Sequence, residues 1–153
     1  MGLFGRERDK PDERSVGLFV DGPNAFREEF DVDLDDIRAV ADGEGPVALA
    51  RLYLDEHAPP NLVRAAEERG FEVVTTSGDV DVRLAVDATA AVTEKTIDTI
   101  VLVSRDADFK PVLERAAERG TRTVAIAPGT HGRSDALRNV AHRALTLGKS
   151  GDS

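Results

Sequence analysis

The sequence predicts a three-layer α/β/α domain built on a mostly parallel sheet of about five strands. Two observations carry this. Short apolar runs alternate with longer stretches of helical periodicity along most of the chain, and strand–helix–strand alternation makes right-handed βαβ units whose strands run parallel. The runs themselves are nearly continuous in apolar residues, as in DTIVLVS at 98–104. That pattern suits strands covered by helices on both faces.

Taken in order, residues 1–14 are charged, lack apolar periodicity and are expected to form a mobile tail. The domain proper is expected over 15–147. SVGLFV (15–20) reads as the first buried strand. Asp33 or Asp35 can cap a helix over about 34–41. PVALARLYL (46–54) is the second strand. Pro59 and Pro60 stand where the helix NLVRAAEERG begins, and Gly70 stops it. FEVVTT (71–76) is the third strand, followed by a helix over 79–92 with Leu84, Ala85, Ala88 and Ala91 on one apolar face. DTIVLVS is the most apolar run and the expected central strand. A helix over 108–119 again ends in Glu-Arg-Gly, and TRTVAIA (121–127) is the fifth strand. PGTHGR (128–133) reads as a loop, SDALRNVAHRALTL as a final amphipathic segment, and 148–153 as frayed. ERGFEVVTT and ERGTRTVAI look alike because both place a helix stop before a strand, not because the chain is duplicated.

The composition excludes several classes. The chain has 153 residues, 41% hydrophobic and 32% charged, enough for a real core and against disorder as the main state. With no cysteine, disulfides, zinc–thiolate sites and thiol chemistry are excluded. No run approaches the roughly 18 apolar residues of a membrane span. The first residues lack the long apolar stretch of a secretory signal, and Arg6 stands where a myristoylation motif needs Ser or Thr. A cytoplasmic location is expected. Net charge is −9 and the pI near 4.8, which at face value opposes a nucleic-acid partner. Lysine is scarce, arginine common and Asp exceeds Glu. This resembles the acidic proteins of salt-loving microbes, whose surface carboxylates serve solubility. Local cations near a site then matter more than the total.

Four aspartates stand out: Asp21 in FVDGPN, Asp81 in DVDVRLAVD, and Asp106 with Asp108 in VLVSRDADF. Asp21 and the 106/108 pair directly follow expected strands, and Asp81 opens an expected helix. In a parallel sheet, residues just past the strand ends collect on one edge. Two unit charges about 4 Å apart repel by roughly 1 kcal/mol even in bulk water. Carboxylates gathered there therefore predict a hard cation, Mg²⁺ or Mn²⁺. Capping alone explains one of Asp106 and Asp108, but not both together with Asp21. Asp81 shares a helix face with Leu84, Ala85 and Ala88, where a charge needs a partner. Asn24 returns beside Asp21 and can bond a water or phosphate. Asp79 reads as a cap, and Asp87 equally as a direct ligand, a support to the site or a salt bridge to Arg83. His57, His131 and His142 lack metal-ligand spacing. No GxGxxG, GxxxxGK[ST] or GxSxG motif occurs.

Three stretches together, DGPN (21–24), VDVRLAVDA (80–88) and LVSRDADFKP (102–111), resemble the motifs of the NYN domain, a branch of the PIN-like ribonucleases. The resemblance spans about residues 16–147. It implies a PIN-like Rossmannoid fold, an acidic metal site on Asp21, Asp81, Asp106 and Asp108 with Asn24 beside it, and RNA cleavage with Mg²⁺ or Mn²⁺. Asn24 and Ser104 would orient water or phosphate oxygens; Arg105, Lys110 and Arg133 would contact the RNA backbone. The sequence departs from the family pattern at Gly78 and Asp79, where many relatives carry Lys-Gly, and at Ala141-His142, where relatives tend to carry Ala-Asp. A rival expectation is an RNA-binding or regulatory module that holds metal but turns over little. A small-molecule phosphohydrolase ranks last, because Asp21 is followed by Gly-Pro and not by a second Asp two residues on. Relatives often pair through exposed helices, which raises a homodimer, but no residue marks the face.

Overall fold

In the computed structural model, which describes residues 14–26, 32–129 and 136–148, the apolar runs become β1 (Val16–Asp21), β2 (Val47–Asp55), β3 (Glu72–Thr76), β4 (Thr99–Val103), β5 (Arg122–Pro128) and β6 (Arg143–Leu147). They form one sheet in the order β3-β2-β1-β4-β5-β6. Every pairing between neighbours is parallel. Strands β1 and β4 are buried at every position, which is why their sequences, apart from Asp21 and Thr99 at their ends, are continuously apolar and not alternating.

The helices are α1 (Gly22–Ala25), α2 (Leu34–Glu44), α3 (Pro60–Glu68), α4 (Val80–Thr93), α5 (Lys110–Glu118) and α6 (Ala136–Val140). A 3-10 turn, Ala107–Phe109, leads into α5. Asp33 caps α2, accepting from the Asp36 N–H at 2.8 Å. Two cores result. On one face Val16, Leu18 and Val20 pack with Ile37 and Ala41 of α2 and Ala66 of α3. On the other Phe19, Ile100 and Leu102 pack with Leu84, Ala88 and Ala91 of α4 and Leu113 and Ala116 of α5. Each fully buried Leu, Ile or Phe contributes about 1.5–3 kcal/mol of burial.

The sheet has six strands, one more than expected. The segment read as one amphipathic stretch divides into α6 and β6. Residues 141–142 turn the chain, and His142 fastens it: its Nδ1 accepts from the Thr123 N–H at 2.9 Å, and its own N–H donates to Thr123 Oγ1 at 2.9 Å. Five residues, half-buried at an edge, are too few for periodicity to separate a strand from the end of a helix. The expected terminal segments lie almost wholly outside the described residues, as do His131 and Arg133.

The repeated Glu-Arg-Gly is one helix stop used twice. Gly70 and Gly120 sit at φ +84° and +81°, and the next residue's N–H folds back on the helix, Phe71 to Ala66 O at 3.0 Å and Thr121 to Ala116 O at 2.9 Å. A Cβ on Gly120 would meet nothing within 4 Å, so a side chain there costs backbone strain alone. Gly120→Ala is expected to lower stability by about 1–2 kcal/mol in urea titrations; an unchanged midpoint would show that the left-handed stop is not required.

Strand order reverses between β1 and β4, which are neighbours although distant in the chain. At such a switch point the connections leave in opposite directions and open a crevice at the carboxyl ends of the strands. Asp21 ends β1, and Ser104 follows β4.

Candidate metal centre

Asp21 closes β1 with only 4% of its surface exposed. The chain then turns sharply into α1, with Pro23 in the first turn. A Cβ on Gly22 would lie 2.5 Å from the Tyr53 carbonyl and 2.4 Å from Leu54 Cδ2, so glycine alone lets β1 leave the sheet this close to β2. Asn24 Oδ1 accepts from the Arg105 N–H at 2.8 Å, which ties the loop after β1 to the loop after β4.

From the β4 side, buried Ser104 links the acids. Its Oγ–H donates to Asp21 Oδ2 at 2.9 Å and its oxygen accepts from the Asp106 N–H at 3.0 Å. Asp106 Oδ1 accepts from the Asp108 N–H at 2.9 Å, so Asp106 does cap the 3-10 turn. Capping does not remove it from the cluster. One carboxylate oxygen from each of Asp81, Asp106 and Asp108 lies within 4.8 Å of the others. Asp21 stands outside this triple, yet close enough to feel the charges of Asp81 and Asp106.

The electrostatics follow. Burial pushes the Asp21 carboxyl up to about 6; the Ser104 hydrogen bond opposes this, and the Asp81 and Asp106 charges add to it. Asp81 is also raised, first by burial and then by Asp106 and Asp79. Among the described residues, no lysine or arginine pairs with any of the four. Three converging carboxylates, all offering oxygen, are a donor set suited to Mg²⁺ or Mn²⁺ and unsuited to softer metals.

The remaining expected site residues divide. Lys110 is exposed at the start of α5. Arg105 turns away from the acids: its Nη1 donates to the carbonyls of Pro128 and Gly129 at 3.1 and 2.7 Å. Asp87 joins a separate network, accepting from the Tyr53 hydroxyl at 2.9 Å and pairing with Arg83 at 3.2 Å. Its partners include none of the four acids. Asp79 is the N-cap residue of α4 but makes no capping bond with its side chain. Arg133 lies outside the described residues. Tyr53, the partner of Asp87, is in register with Asp21 on the neighbouring strand and stacks on Phe19 at 6.4 Å, a placement that follows from strand pairing and not from local spacing.

A doubly wound parallel sheet with carboxylates gathered at its switch point defines a Rossmann-like domain with a candidate acidic metal centre. The chain belongs to the NYN domain family, whose sequence model matches residues 15–148. An uncharacterised protein of Methanocaldococcus jannaschii is 41% identical over 147 residues, covering 96% of this chain and 61% of that protein. The chain thus spans about three fifths of that relative's length. The crystal structure of a protein of unknown function from Vibrio parahaemolyticus matches with a TM-score of 0.76 and 22% identity, covering 91% of this chain and 96% of the other. That likeness concerns the fold. Among the described residues, no helix is long and apolar enough to cross a membrane.

Proposed function

We propose that this domain is a metal-dependent ribonuclease that hydrolyses phosphodiester bonds of RNA. The observation that supports it best is the Asp81–Asp106–Asp108 triple, backed by Asp21, at the switch point of a domain in the NYN family. These acids would hold Mg²⁺ or Mn²⁺, and such an ion supplies positive charge to a phosphoryl oxygen and lowers the pKa of a bound water. The chain's own residues arrange the rest. Ser104 holds Asp21 and the Asp106 backbone at once. Asn24 has its carbonyl oxygen committed to Arg105, which leaves its amide N–H₂ to donate to a phosphate oxygen or water. Lys110 offers charge to the RNA backbone. Arg105 serves chiefly to brace the loops after β1, β4 and β5.

One observation favours a second reading. Asp79 adds negative charge beside Asp81, which suits a module that retains RNA but turns it over slowly. Incubating the protein with single-stranded and hairpin RNA in Mn²⁺, Mg²⁺ or chelator separates the two. Product formed with either metal and not in chelator is expected. RNA retained but uncut would favour the binding module; RNA neither bound nor cut would end both.

A further inference from the structure

We propose that a cleft at the carboxyl ends of β1 and β2 is a subsite for a single nucleobase of RNA, guanine above all. The role in RNA rests on the ribonuclease reading; base binding itself does not. The cleft, of about 150 Å³, opens at the carboxyl ends of β1 and β2, with walls from Pro23, Phe26, Leu54, Ala58, Pro59 and Leu62. Its lining begins at Gly22, the residue after Asp21. Helix α1 therefore carries Asn24 to the acid loops and Pro23 to the cleft.

Size and chemistry together select the occupant. The cleft is smaller than the roughly 300 Å³ at which pockets for drug-sized ligands begin, and suits one planar ring system. Phe26 contributes an aromatic group, and single-stranded RNA is read by stacking bases on aromatic side chains and bonding their Watson–Crick edges. Asp55 supplies the polar group. Its Oδ1 accepts from the His57 N–H at 2.8 Å, and among the described residues no cation pairs with it. A carboxylate repels phosphate and accepts N–H donors. Guanine presents two adjacent donors, N1–H and the N2 amine, whereas uracil presents one between two carbonyls.

The test is an NMR titration of the metal-free protein with guanosine monophosphate, uridine monophosphate and inorganic phosphate. Guanosine monophosphate is expected to move the Phe26 ring and the Leu54 and Leu62 methyl signals to saturation. The uridine nucleotide should bind at least about tenfold more weakly, and phosphate should leave those signals in place. Phe26→Leu and Asp55→Asn should each weaken guanosine monophosphate by about tenfold, with Phe26→Tyr restoring it. If Phe26→Leu fails to fold, the Asp55→Asn comparison decides. No movement with guanosine monophosphate, or equal affinity for both nucleotides that ignores Asp55→Asn, overturns the subsite. RNA cleaved without base binding in the cleft defeats the subsite alone; base binding without cleavage defeats the ribonuclease reading alone.

Discussion

Asp106→Asn is expected to slow metal-dependent RNA cleavage by about a hundredfold or more, since losing even a group that only orients a metal ligand costs roughly 10–100-fold. Asp106 stands at the junction of the site. Its side chain caps the turn that carries Asp108, its N–H bonds the serine that holds Asp21, and its carboxylate converges with Asp81 and Asp108. Asparagine keeps the oxygen that accepts from Asp108 and keeps the shape, so the fold survives while one charge is lost. Asp106→Ala should lose the activity and also about 1 kcal/mol of stability with the cap. Initial rates at saturating Mn²⁺, with circular dichroism to confirm folding, check both. Equal rates for wild type and Asp106→Asn would remove Asp106 from the chemistry.

Asp21→Asn is expected to stabilise the metal-free protein at neutral pH. Folding raises the Asp21 carboxyl from 3.8 to about 6. Between those values the folded state binds more protons than the unfolded one, so this group's contribution falls as pH rises through the window and is least favourable above it. Each pK unit is about 1.4 kcal/mol, giving up to about 3 kcal/mol that asparagine would recover at about pH 7.5, and little below about pH 4. Ser104 still has an oxygen to donate to. Urea titrations in chelator at both pH values measure the difference. Added Mn²⁺ should stabilise the wild type more than the variant, because the charge removed is the one a cation would neutralise. A variant less stable than wild type at neutral pH in chelator would show that the Asp21 charge is not uncompensated.

The alternation of apolar runs and helical periods made the three layers readable, because burial of a strand on both faces leaves a continuous apolar signature. Strands β1 to β5 fall within a residue or two of where that signature ends. Strand β6 escaped because its pairing depends on a long-range device, the His142–Thr123 pair of hydrogen bonds, and because an edge strand of half-buried residues has no strong pattern of its own. The acids were readable for a related reason: strand ends on a parallel sheet share an edge, so Asp21 and Asp106 could be placed together without knowing the rotamers. Direction was not readable. Nothing local tells whether Arg105 turns to solvent or to the carbonyls of Pro128 and Gly129. Nor could helical spacing assign Asp87 to Tyr53, since that contact depends on how α4 sits on β2. The resolution of four acids into a triple with Asp21 behind it likewise depends on side-chain reach, which spacing does not encode.

The most direct measurement is a crystal structure of the protein soaked with Mn²⁺, with anomalous data collected for the ion. A peak is expected within coordinating distance of oxygens from Asp81, Asp106 and Asp108, on the side where Asp21 approaches. An anomalous map with no ion among these carboxylates at saturating Mn²⁺, or with their side chains turned apart, would contradict the metal centre and the ribonuclease reading built on it.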